Sequence, residues 1–189
     1  MESSNTALLI IDMINDFNFE HGNILAEKAL IIAEQIQQLK KQCKQENIPI
    51  IYINDHYNLW QAELNKVIDY CRNEKSELFI DKIKPDDTDY FLIKPRHSAF
   101  YGTALYTLLH QLHVKNLILT GIAGNICVLF TANDAYMREY PLLIPDNCIA
   151  SVDDEDNKYA LRMMKNVMNA KIFTFKKIQS FLPFPPHKL

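Results

Sequence analysis

Charge of one sign, long apolar runs, paired cysteines and glycine are all in short supply in this chain. The formal net charge is −3 and the sequence pI about 6.1. No basic block stands out, because the Lys40-Lys41 pair shares its helical stretch with Glu34 and Glu46. That leaves no electrostatic footprint for nucleic acid or an anionic membrane, and neither is expected as a partner. The longest apolar runs, such as Ala7 to Ile11, fall far short of the ~20 residues that span a bilayer. The opening residues MESSNT are polar and bear an acid, unlike the basic start of a signal peptide. Four cysteines, at 43, 71, 127 and 148, form no CxxC pair and no metal-type spacing. Reduced thiols in a cytoplasmic protein are therefore expected, with no metal and no cofactor.

The composition is ordinary for a globular chain, 48% hydrophobic and 23% charged, so a sizeable core is available. No repeat, low-complexity tract or linker interrupts it. One domain over residues 1–189 is expected, ending in a short Pro-rich tail at about 181–189. In that tail Leu182 and Phe184 suit packing against the body or a neighbouring subunit better than free exposure.

Apolar bursts of strand length alternate with helical periodicity throughout. Ala7 to Ile11 is continuous, as in a strand buried on both faces. From Lys28 to Asn47, residues Ala29, Ile32, Ile36, Leu39 and Cys43 line one face of an amphipathic helix. Further strands are expected at Pro49–Ile53, Tyr90–Ile93, Asn116–Thr120, Leu142–Ile144 and Lys171–Phe175. Helices are expected at Ala62–Arg72, Thr103–Leu112, Ile126–Glu139 and Asp153–Asn169. The acidic run Asp153 to Asp156 reads as the last helix's N-terminus. His110 and His113 read as partners of a helix C-terminus, since no third metal ligand accompanies them. Six strands separated by helices imply an α/β fold: a doubly wound, mainly parallel sheet with helices on both faces.

In such sheets ligands bind beyond the carboxyl ends of the strands. The first strand runs into Asp12, the second into NDHYNLW with Asp55, His56 and Trp60, the third into Lys94, and the fourth through GIAGN into Cys127. Two of the chain's four glycines, Gly121 and Gly124, flank that last turn. Taken singly, each residue has a plain alternative: a turn-capping aspartate, a solvated lysine, an inert small thiol. Together at one rim they point to chemistry. Placed near a helix start, with an ammonium close by, Cys127 should have a pKa below the ~8.5 of free cysteine, although Asp12 opposes this. Cys43 lies on the apolar helix face, Cys71 ends a surface helix, and Cys148 follows the turn PDN; core packing or no role is expected of all three.

The elements LLIIDMINDF, KPRHSAFYGT and GIAGNICV, in this order, carry a resemblance to the isochorismatase-like cysteine hydrolase superfamily. It runs along essentially the whole chain to about Phe175. The resemblance implies a catalytic triad of Asp12, Lys94 and Cys127 on an α/β/α sandwich. It also implies a cis peptide at Ile122–Ala123 and an oxyanion hole made by the N–H groups of Ala123 and Cys127. Gly121 and Gly124 would give the backbone room for that turn. The implied activity is metal-independent hydrolysis of a small amide or ureide through a thioester, in a homo-oligomer (dimer or tetramer). Substrate contacts are expected from Phe17, His56, Trp60, Phe100, Tyr101 and Ile122, with core or lid packing the equal alternative for Trp60, Phe100 and Tyr101 and a solvated position the equal alternative for His56.

The chain departs from nicotinamidases of this superfamily, whose metal site uses an Asp-x-His motif and further histidines. Here Asp55 and His56 are adjacent, and no second histidine follows before His97. Two other readings stand: a vinyl ether hydrolase of the isochorismatase type, which commonly lacks the cysteine, and a non-enzymatic interaction or redox module.

Overall fold

In the computed structural model, which describes residues 4–180, the chain begins with β1 (Thr6–Ile11), α1 (Gly22–Gln45) and β2 (Ile50–Asp55). Helices α2 (Leu64–Cys71) and α3 (Glu77–Ile83) precede β3 (Tyr90–Lys94). Next come α4 (Leu105–Gln111), β4 (Asn116–Ile122), a π-helical turn at Gly124–Val128 and α5 (Leu129–Met137). The last elements are β5 (Leu142–Pro145), β6 (Ile149–Ala150), α6 (Asp154–Val167) and β7 (Lys171–Phe173).

The continuous apolar run of β1 is explained by how its side chains divide between the faces. Leu8 and Ile10 point into one core with Ala29, Ala33, Ile36 and Leu39 of α1. Ala7, Leu9 and Ile11 enter the opposite core with Leu109 of α4, Ala132 of α5 and Met164 of α6. Every β1 residue is buried, and each large aliphatic side chain so placed contributes about 1.5–3 kcal/mol. A strand with period-2 alternation would leave one of these two layers without a partner.

Every strand pairing is parallel. The order is β3-β2-β1-β4-β5-β7, with β6 paired to the far end of β4. The chain therefore builds outward from β1 in one direction, then crosses back to continue from β4 in the other. The carboxyl ends of β1 and β4 flank this reversal, where α/β sheets open a crevice.

Several boundaries differ from the sequence reading. Among the described residues the sheet has seven strands rather than six; the two-residue β6 is too short to show a pattern. Helix α1 starts six residues earlier than expected, at Gly22, behind His21 in the left-handed conformation and without a side-chain cap. The seven residues of α3 were not anticipated at all. Cys71 ends α2, a helix with one exposed face, but its own side chain is fully buried, Sγ 3.7 Å from the Ile14 carbonyl. The acidic run does open α6, where Asp153 accepts from the N–H groups of Glu155 (2.7 Å) and Asp156 (3.0 Å). The expected packing of the 181–189 tail lies outside the described residues. Among those residues, no helix is long and apolar enough to cross a membrane.

Candidate active site

Asp12 follows β1 at φ 52°, a left-handed conformation that non-glycine residues seldom adopt and that clusters at functional sites. Its own N–H donates to the Ile53 carbonyl at 3.0 Å, tying it to the end of β2. Its Oδ1 accepts the Asp55 N–H at 2.8 Å, and its Oδ2 lies 2.8 Å from Lys94 Nζ. Lys94 ends β3, two strands away from β1. Neighbouring strands are about 4.8 Å apart, so only a long cationic side chain reaches past β2 to the Asp12 carboxylate. Both partners are almost sealed from solvent, Lys94 at 1% and Asp12 at 5% exposure.

Cys127 completes the group. Its Sγ is 3.5 Å from Lys94 Nζ and 3.9 Å from His97 Nδ1. The thiol sits on the fourth residue of the π-helical turn, ahead of α5 rather than at the start of an α-helix as the sequence suggested. The Ala123 carbonyl accepts from both Ile126 and Val128 N–H, each at 3.1 Å. Asn125 N–H donates to Ser151 Oγ at 3.0 Å, and that hydroxyl donates to Asn157 Oδ1 at 2.8 Å. The Ile122–Ala123 peptide is cis.

The two glycines have separate local causes. Gly121 has φ 114°, and a Cβ there would lie 2.0 Å from the Ile11 carbonyl oxygen of β1. At Gly124 a Cβ would lie 2.2 Å from Asn157 Oδ1 and 3.0 Å from Ser151 Oγ, the groups that fasten the turn. One glycine lets β4 close on β1; the other lets the start of α6 grip the thiol's turn.

Electrostatics correct the expected thiol. Burial first, and the Asp12 charge second, push the Cys127 pKa well above the usual cysteine value, outweighing the pull of Lys94. Burial would lower Lys94, but Asp12, the thiol and Asp55 outweigh it and hold the ammonium above the usual lysine range. The resting group is thus a carboxylate–ammonium pair beside a neutral thiol. Cys127 is nevertheless the most accessible thiol: it is half-buried, whereas Cys43, Cys71 and Cys148 are buried. Burial also pushes the Cys43 and Cys71 thiols up to about 12. Iodoacetamide is expected to modify Cys127 first, at a rate still climbing with pH above the ~8.5 of a free thiol. Peptide mapping after partial alkylation checks this; earlier labelling of any other cysteine, or a rate already level at pH 8, contradicts it.

These side chains floor a cavity of about 400 Å³, within the range for small-molecule sites. Its apolar wall is Phe19, Leu25, Ile122, Ala123, Ile126 and Val152, and its polar wall adds Asn15, Asp16, Asp55, Tyr57, His97 and Asn125. Of the expected substrate contacts, only Ile122 lines it. Phe17 is instead fully buried, edge-on to Phe79 with centroids 5.5 Å apart. Phe100 packs in the opposite core against Tyr140, with the Arg138 guanidinium 4.9 Å from its ring centroid. Tyr101 is 61% exposed, away from the cavity. His56 and Trp60 stack on one another at 4.1 Å, leaving Trp60 67% exposed. Positive φ at Tyr57, Asn58 and Trp60 turns this loop so that Tyr57 faces the cavity, its hydroxyl donating to the Ile14 carbonyl at 2.9 Å. Among the described residues no three His, Cys, Asp or Glu side chains are grouped to hold a metal ion. The sequence reading names His97 only as the next histidine after His56; its place three residues after Lys94 is the signal that points to the site.

Comparison with known proteins shows the family and the fold. Residues 6–174 match the model of the Isochorismatase domain. The chain is 58% identical over 178 residues to the uncharacterized isochorismatase family protein YaaI of Bacillus subtilis, covering 94% of this chain and 98% of that one. N-carbamoylsarcosine amidase from Thermoplasma acidophilum superposes with a TM-score of 0.69 at 25% identity, covering 90% of this chain and 96% of its own. Nicotinamidase PncA from Bacillus subtilis gives 0.68 at 28% identity, covering 89% and 98% respectively.

Proposed function

The chain belongs to the isochorismatase family of hydrolases, and we propose that it cleaves the C–N bond of a small amide or ureide with Cys127 as nucleophile. The observation that carries this reading is Lys94 Nζ lying 2.8 Å from Asp12 and 3.5 Å from Cys127 Sγ at the cavity floor. A buried ion pair beside a thiol is costly scaffolding for a merely structural cysteine. Likeness to a carbamoylsarcosine amidase and a nicotinamidase supports the same class of bond.

The thiol's raised pKa defines the first step. Cys127 gives its proton to Asp12 as sulfur bonds to the carbonyl carbon, so no free thiolate accumulates. Negative charge builds on the carbonyl oxygen, opposite the N–H groups of Ala123 and Cys127; one such donor is worth about 3 kcal/mol. The C–N bond breaks as nitrogen takes the proton from Asp12, and ammonia or an amine departs. Lys94 fixes the carboxylate and offsets its charge throughout. Water then cleaves the thioester, releasing a carboxylic or carbamic acid and restoring the thiol.

Screening for ammonia release across primary amides and ureides, beside pyruvate release from isochorismate, tests the bond type. Ammonia alone is expected, and EDTA should leave the rate unchanged because no residue of the cavity wall forms a three-ligand set. Pyruvate without ammonia would move the chain to vinyl ether hydrolysis, and full inhibition by EDTA would overturn the thiol mechanism.

A further inference from the structure

The thiol of Cys127 lies between two unlike groups. On its buried side is the Asp12–Lys94 pair, held in place by the Asp55 N–H and by the salt bridge itself. On its solvent side is His97, exposed at the cavity mouth with Nδ1 3.9 Å from Sγ. The imidazole leans on Phe130 of α5, ring centroids 5.5 Å apart and planes at 58°. It lines the same cavity as the thiol. Once an acyl group occupies Cys127, the buried side stays closed, and water reaches the thioester from the mouth that the departing amine has vacated. Histidine is the side chain most often used as a general base.

We propose that His97 is the general base of the second half-reaction, a role that rests on the thiol reading above. As water oxygen bonds to the acyl carbon, one water proton passes to the unprotonated ring nitrogen. The tetrahedral adduct collapses, the C–S bond breaks, and the imidazolium returns that proton to the departing sulfur. The acid leaves, and histidine and thiol are both restored to their starting state. Asp12 thus serves the attack of sulfur, and His97 serves the attack of water. The two half-reactions use opposite sides of the sulfur.

The probe is p-nitrophenyl acetate, which acylates a thiol with coloured release and needs no knowledge of the natural substrate. Wild type is expected to give a burst of nitrophenolate followed by slower turnover, and Cys127→Ala no burst. His97→Asn, and His97→Phe, which keeps an aromatic contact with Phe130, should hold the burst rate within about threefold while steady turnover drops about a hundredfold. Acid-quenched samples of both variants should then carry acetyl on the Cys127 peptide. A structural role for His97 would instead slow burst and turnover together, and that result, or unchanged turnover in both variants, overturns the proposal. A burst that persists in Cys127→Ala brings down the thiol reading itself, and the role of His97 with it.

Discussion

Replacing Cys127 with alanine is expected to lower amide hydrolysis by about 10⁴-fold or more while leaving the fold intact. The magnitude follows from removing the proposed nucleophile, after which only binding and the proposed backbone N–H donors would remain to assist water. The fold should survive because the thiol is half-buried at a cavity wall, so truncation opens no sealed void of the kind that destabilises cores. The Asp12–Lys94 pair stays satisfied without it. Thermal melting beside the activity assay separates the two effects. Activity retained within tenfold, with an unchanged melt, would mean that the thiol is a bystander.

Lys94→Met has a different expected signature, because it strikes stability and activity together. It strips a cation from a carboxylate that is itself buried, and breaking such a pair costs about 3–5 kcal/mol. For a chain of this size that corresponds to a fall in Tm of roughly 10 °C. Because the fold raises the Lys94 pKa, its contribution is fully present below the ordinary lysine value and is lost only as pH climbs through the raised one. On the alkaline side the penalty of the substitution should therefore shrink only under strong alkali. Adding Asp12→Asn removes the stranded charge, so the double variant should recover most of the melting temperature. Activity should not return with it, since the proposed proton acceptor for Cys127 is then missing. Restored activity in the double variant would show that the pair serves only the fold.

Much of this arrangement is legible in the residues themselves. The unbroken run Ala7 to Ile11 demands two covered faces, and the structure supplies one core to each. Strand ends located by such runs put Asp12, Lys94 and Cys127 on one rim without further information. Short elements escaped: β6 has two residues and α3 has seven, below the length at which periodicity speaks. Phe17 and Trp60 lie off the cavity for another reason. Left-handed φ at Phe17, Tyr57, Asn58 and Trp60 decides which way these side chains face, and composition gives no sign of it at non-glycine residues. The same loop turns Tyr57 into the cavity and stacks His56 on Trp60. The direction of the thiol shift differs from the sequence expectation because burial depends on the whole fold, whereas a nearby lysine can be seen in the sequence.

The covalent role of Cys127 is tested most directly by trapping the intermediate. Wild-type enzyme turning over an amide or ureide identified by ammonia release is quenched in acid, digested, and its peptides weighed. The acyl fragment of the substrate is expected on the Cys127 peptide, present during turnover and gone once substrate is exhausted. Steady turnover with that peptide never modified, or the acyl fragment on another residue, would contradict the assignment.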